Sequence, residues 1–199
     1  MDGGQVMRAT LDRRIAVKAL LQDRGDLLVI SGLGSSSYDV FAAGDHDANF
    51  YLWGAMGGAA MIGLGLALAQ PSRPVAVITG DGEQLMGLGS LATAAAKQPR
   101  NLSIVVLDNA HFGETGMQMS HSGLGARLEL IAGGAGFPSV TTIEDAAALA
   151  AFRPKLRDLA GPHFARVAIA TDHVDRALPA RDGVFLKNRF RGHLGFPVS

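Results

Sequence analysis

Two apolar runs, residues 73–79 (RPVAVIT) and 102–107 (LSIVVL), each stop abruptly at a polar turn. The first gives way to Gly80, Asp81 and Gly82, the second to Asp108 and Asn109. Runs this short and this apolar read as strands buried on both faces. Segments of helical length lie before, between and after them. Strands alternating with helices imply an α/β fold: a single doubly wound parallel sheet with helices on both faces. Ligands of such sheets bind beyond the carboxyl ends of the strands. Asp81 and Asn109 therefore stand where a ligand is expected. A carboxylate and a carboxamide are hard oxygen donors that suit Mg²⁺, which completes its shell with water and phosphate.

The remaining elements follow the same alternation. Thr10 is placed to cap a helix over residues 11–21, and residues 26–31 (DLLVIS) read as a strand. A turn over 32–37 leads into a helical start reaching residue 42. A buried helix is expected over 55–69, one further helix over 84–97, a loop over 113–123, a helix over 126–132, and a strand over 139–141. A helix over 143–160 and a strand over 164–170 close the unit. Residues 1–173 are expected to form the ligand-binding domain. The tail, 174–199, has no clear period but carries Phe185, Phe190, Leu194 and Phe196, so it is expected to pack on the domain or on a partner.

The uncharged stretch 50–69 (FYLWGAMGGAAMIGLGLALA) is long enough to cross a bilayer. Its glycines, its aromatic residues crowded at one end, and the strand that follows favour a core helix. The N-terminal residues have no apolar signal region, and a cytoplasmic protein is expected. With 18 Lys and Arg against 18 Asp and Glu, the balanced charge gives no sign of a nucleic-acid partner. The absence of cysteine excludes disulfides and thiolate metal sites. Glycine is the outlier, 26 of 199 residues against about 7% on average, and much of it sits at turn-like positions.

Three elements stand in register. The first is Gly80-Asp81-Gly82, with Asn109 27 residues beyond Gly82. The second is the turn Gly32-Leu33-Gly34-Ser35-Ser36-Ser37, which lacks the third glycine of a dinucleotide fingerprint. The third is Trp53-Gly54-Ala55-Met56-Gly57. Together they resemble the diphosphate-binding (PP) domain of thiamine diphosphate (ThDP) dependent 2-oxoacid decarboxylases. The resemblance runs over about residues 10–172. More narrowly, the chain is similar to the separate C-terminal-type (beta) subunit of phosphonopyruvate and sulfopyruvate decarboxylases, through residues 49–51, 54–69 and the string that ends at Gly116.

The resemblance implies ThDP and Mg²⁺ as cofactors. It implies Asp81, Asn109 and the backbone carbonyl of His111 as metal ligands. Cofactor contacts are implied for Gly34, Ser35, Ser36, Ala55, Gly80, Gly82, Glu83, Phe112 and Gly113. Met56 is implied as the prop that bends the cofactor, so that its amino group reaches the reactive carbon. His111 and Glu114 are the candidate catalytic side chains, with Glu114 on a loop over the thiazolium. Where most members carry Asn, position 108 is Asp; where most carry a small residue, position 83 is Glu, whose charge is expected to point away from the phosphate. His46, Asn49, Gln118 and His121 are further polar candidates. Ser120, His121 and Ser122 are the nearest donors for an acidic substrate group.

The reaction implied is decarboxylation of a small 2-oxoacid to CO2 and an aldehyde through an enamine intermediate. The family also needs a pyrimidine-binding (PYR) domain, whose glutamate activates the cofactor. That glutamate is expected in trans, from a partner subunit, in a hetero-oligomer with at least two copies of each chain. An acetolactate synthase-like carboligase subunit and a non-catalytic cofactor-binding subunit are the alternative readings.

Overall fold

The computed structural model describes residues 11–172 and 174–197. The order is α1 (Arg13–Leu21), β1 (Leu28–Ser31), α2 (Ser35–Ala42), β2 (Asn49–Tyr51), α3 (Ala59–Ala69), β3 (Val75–Gly80), α4 (Asp81–Met86), α5 (Gly89–Lys97) and β4 (Leu102–Asp108). A two-residue hairpin, β5 (His111–Phe112) with β6 (Gln118–Met119), comes next. Then follow α6 (Leu128–Ala135), β7 (Ser139–Ile143), α7 (Ala146–Phe152), β8 (His163–Ala168) and α8 (Gly183–His193). Six strands form one parallel sheet in the order β2-β1-β3-β4-β8-β7.

Alternation along the strands divides the core into two layers. On one face Val75, Val77, Leu102, Ile104 and Val106 pack against α3, α5 and α6. On the other, Ala76, Ile78, Val105, Leu107 and Val167 pack against α1, α2 and α7. The sheet is thus doubly wound, as the sequence implies. From β1 the chain steps outward to β2 and then returns to the opposite side of β1 as β3. That reversal opens a crevice at the carboxyl ends of β1 and β3, with the end of β4 beside it.

The structure moves several boundaries. Asp12 caps α1, its side chain accepting from Ile15 N at 2.8 Å, while Thr10 lies outside the described residues. The helix expected over 55–69 starts only at Ala59, because Ala55 (φ 60°) and Gly57 (φ 88°) are left-handed. Asn49 and the first two residues of the apolar stretch, Phe50 and Tyr51, form the edge strand β2. α3 is an 11-residue core helix, and no helix among the described residues is long and apolar enough to cross a membrane. The helix expected over 143–160 is α7 followed by a 3-10 turn, Arg153–Leu156, that contains Pro154. The tail holds α8, which buries Leu186 and Phe190 and is tied down by Arg189 donating to Asp45 at 2.7 Å. Just before it, Trp53 donates to the Ala180 carbonyl at 2.7 Å.

The helix expected over 84–97 is broken at Gly87 into α4 and α5. The cause is a backbone-on-backbone contact, since a Cβ on Gly87 would collide with the carbonyl of Gly57. This contact supports the turn that carries Met56. Gly87→Ala is expected to lower unfolding free energy by about 1–3 kcal/mol, the usual cost of overpacking. Gly65→Ala, in open space on α3, is expected to be neutral or stabilising by up to about 1 kcal/mol. Denaturant midpoints of the two variants check this, and equal midpoints would refute the contact's importance.

Candidate active site

The crevice at the strand ends holds a cavity of about 180 Å³. Ser35 and Ser36 reach it from the first turn of α2, and Gly80, Asp81, Gly82 and Glu83 from the β3–α4 junction. Asn109, His111, Phe112, Gly113 and Glu114 line it from the segment after β4, and Met56 from the turn before α3. Of the cofactor contacts expected from the sequence, Gly34 and Ala55 are not on its wall, and neither are the further candidates His46, Asn49, Gln118, Ser120, His121 and Ser122. Arg13, Leu33, Leu107, Thr115 and Ile169 line it without having been singled out.

Asp81 opens α4 and is 3% exposed. Its Oδ2 accepts the Ser120 hydroxyl at 2.5 Å. The Ser122 hydroxyl lies 2.7 Å from Asp108 Oδ1 and 3.1 Å from Asp81 Oδ2. A hydroxyl has one proton to give, so the shorter contact to Asp108 takes it. Burial pushes the Asp81 carboxyl above its ordinary pKa; the neighbouring Asp108 charge adds to this and the serine hydroxyls oppose it. Among the described residues no Lys, Arg or His pairs with Asp81.

Asp108, by contrast, has its cation. Arg166 on β8 donates to Asp108 Oδ2 at 2.5 Å, and Ala110 N donates to Oδ1 at 2.9 Å. The aspartate at this position is therefore part of a cluster in which Ser122 and Arg166 donate to Asp108 while the adjacent Ser120 donates to Asp81. Ser120 and Ser122 were expected as donors for a substrate. Ser120 is instead fully buried, and both hydroxyls are spent on the two carboxylates.

Asn109 is followed by a left-handed Ala110 (φ 63°), which makes the turn tight. Its Oδ1 accepts His111 N at 3.0 Å with one lone pair, leaving the second for another partner. His111 Nδ1 lies 2.8 Å from the Asn109 carbonyl. A carbonyl only accepts, so Nδ1 carries the hydrogen and Nε2 is the free ring nitrogen. His121 packs edge-on against Phe112, with ring centroids 6.0 Å apart.

Glu83 is buried with its carboxylate turned onto the β1–α2 turn. Oε2 takes the Leu33 N–H at 2.8 Å, and Oε1 has no hydrogen-bond partner among the described residues. The Leu33 N–H is thereby withdrawn from any anion in the cavity. Glu114 reaches across to the start of α2, where Ser35 donates to it at 3.0 Å, and Arg176 approaches its other oxygen at 3.4 Å. Gly34, left-handed at φ 62°, has no room for a Cβ beside this carboxylate. His46, Asn49 and Gln118 do not join the cavity: His46 faces His193 on α8, Asn49 bonds Arg24 and Tyr51, and Gln118 sits on the exposed hairpin.

The family model for the thiamine pyrophosphate enzyme C-terminal TPP binding domain matches residues 34–166. The chain is 37% identical over 180 residues to sulfopyruvate decarboxylase subunit beta of Methanothermobacter thermautotrophicus, covering 90% of this chain and 94% of that one. It is 41% identical over 174 residues to phosphonopyruvate decarboxylase of Streptomyces viridochromogenes, of which it spans 43%. The solved benzoylformate decarboxylase of Polynucleobacter necessarius shares the fold, with TM-score 0.71 at 17% identity over 87% of this chain and 36% of that one. The chain belongs to the thiamine pyrophosphate enzymes, as a C-terminal TPP-binding domain of the 2-oxoacid decarboxylase type.

Proposed function

We propose that this chain is the diphosphate-binding subunit of a ThDP- and Mg²⁺-dependent 2-oxoacid decarboxylase, active with a PYR-domain partner. The observation that carries the reading is Asp81, a buried carboxylate without a basic partner among the described residues, at a strand end beside Asn109. A site of one carboxylate, one carboxamide and the His111 carbonyl is open enough for a metal that keeps water and phosphate oxygens. Among the described residues no three His, Cys, Asp or Glu side chains form a metal cage.

The anion end also fits. A carboxylate, Glu114, already rests on Ser35 at the α2 N-terminus, where the helix dipole and free N–H groups favour negative charge. Bare backbone at Gly82, where a Cβ would come within 2.8 Å of the Phe112 ring, allows close approach between α4 and the hairpin. Asp81 and Asn109 would hold the metal, Ser35 and Ser36 the diphosphate, and Met56 the bend of the cofactor. When bound, the cofactor supplies the electron sink needed for loss of CO2. This chain's part would be to hold and orient it, with His111 Nε2 and Glu114, both lining the cavity, as the candidates to handle protons.

Small acidic 2-oxoacids such as sulfopyruvate and phosphonopyruvate, the substrates in the relatives' names, are the first to test. The complex of this chain with its partner is expected to release CO2 from one of them only when both ThDP and Mg²⁺ are present. CO2 release that survives EDTA treatment and cofactor-free dialysis would refute the assignment.

A further inference from the structure

We propose that Arg13 is an anion-binding residue of this cavity and receives the terminal phosphate of the bound diphosphate, an inference that rests on the cofactor reading above. Arg13 stands in the first turn of α1, outside the three sequence elements, yet its side chain lines the cavity with Ser35, Ser36, Asp81 and Asn109. Its Nε donates to Asp39 Oδ2 at 2.6 Å. Its two terminal amino groups have no acceptor among the described residues, although the side chain is only 14% exposed. A guanidinium is a rigid planar fork, so fixing Nε fixes where the amino groups point. Asp39 lies on α2, three and four residues after Ser36 and Ser35, and thus one turn along the same face. It holds the guanidinium beside the turn that carries both serines.

Charge gives the second argument. Asp39 is 1% exposed and faces two guanidinia, Arg13 at 2.6 Å and Arg14 at 3.5 Å. One carboxylate against two cations leaves one positive charge over. Arg14 donates from an amino group to the Asp175 carbonyl, away from the cavity, so the idle donors are those of Arg13. Arg13 is the one Lys or Arg on the cavity wall among the described residues, which otherwise carries Asp81, Glu83 and Glu114. A diphosphate monoester carries roughly three negative charges at neutral pH. A divalent metal offset by Asp81 supplies one net positive charge against these. The guanidinium provides a further cation, and its fork suits phosphate oxygens.

A carboxylate or other acidic group of the substrate is the other source of an anion for Arg13, and ligand truncation separates the two. ThDP and thiamine monophosphate are titrated with Mg²⁺ into the wild-type chain and Arg13→Gln, each co-purified with the partner subunit, by calorimetry. Arg13→Gln is expected to weaken ThDP about ten- to a hundredfold, the loss of one charge-assisted contact. Thiamine monophosphate, without the terminal phosphate, is expected to change by less than about threefold. Arg13→Lys keeps the charge without the fork and is expected to lose ThDP affinity by a smaller factor, which secures the test if the glutamine variant does not fold. Equal losses for both ligands would overturn the assignment. So would unchanged ThDP affinity with a raised KM for the 2-oxoacid, which would move Arg13 to the substrate. Failure of the wild-type complex to bind ThDP at all would overturn the cofactor reading, and this assignment with it.

Discussion

Asp81→Ala is expected to abolish retention of ThDP and Mg²⁺, with affinity at least about a hundredfold weaker than wild type. The argument starts from cost. A carboxylate that is 3% exposed and has no basic partner among the described residues is expensive to bury. Ser120 donates to Oδ2 but supplies no charge. In the proposed site a metal ion would supply the missing counter-charge, and removing the Asp81 carboxylate would leave Asn109 and one carbonyl as the only protein donors of the proposed set. Asp81→Asn separates binding from folding. The carboxamide keeps the shape and the serine contacts while removing the buried charge. Its cofactor affinity is expected to fall nearly as far as in the alanine variant. Its melting temperature without cofactor is expected to equal or exceed that of wild type. Calorimetry and thermal melts check the two halves, and undiminished ThDP affinity in either variant would remove Asp81 from the metal site.

The parts of this site that can be read in the sequence are those whose signal is local. β3 and β4 are apolar runs that stop at Asp81 and Asp108, and that register alone puts Asp81 and Asn109 at one sheet edge. The support around them is not local. Arg166 reaches Asp108 from 58 residues away, and Ser120 reaches Asp81 from 39 residues away. Neither spacing carries a period or a motif, so the serines read as substrate donors until the fold shows them buried. β2 was hidden for a different reason: a three-residue strand that runs from Asn49 into the head of a continuous apolar stretch has no pattern of its own, and left-handed Ala55 is not foreseen from its residue type. The break at Gly87 depends on the carbonyl of Gly57, a contact that only the assembled fold creates.

The isolated chain is expected to decarboxylate its 2-oxoacid at least about a hundredfold more slowly than its complex with a PYR-domain subunit, the range that a lost acid–base group commands. In the proposed reading the cofactor would need a carboxylate at its pyrimidine end, and the carboxylates of this cavity are committed elsewhere. Asp81 is bound by Ser120, and Glu83 by the Leu33 N–H. Glu114 rests on Ser35 at the diphosphate end. The surface near the site also carries flexible apolar side chains: Met56, Met86, Met117 and Met119 are 43–65% exposed. Methionine adapts to an irregular partner surface, and such a group of them is better covered by a second chain than by water. CO2 release by the chain alone, by the partner alone and by their equimolar mixture provides the measurement, with light scattering to show assembly. Turnover by the chain alone equal to that of the mixture would overturn this expectation and make the partner dispensable for the chemistry.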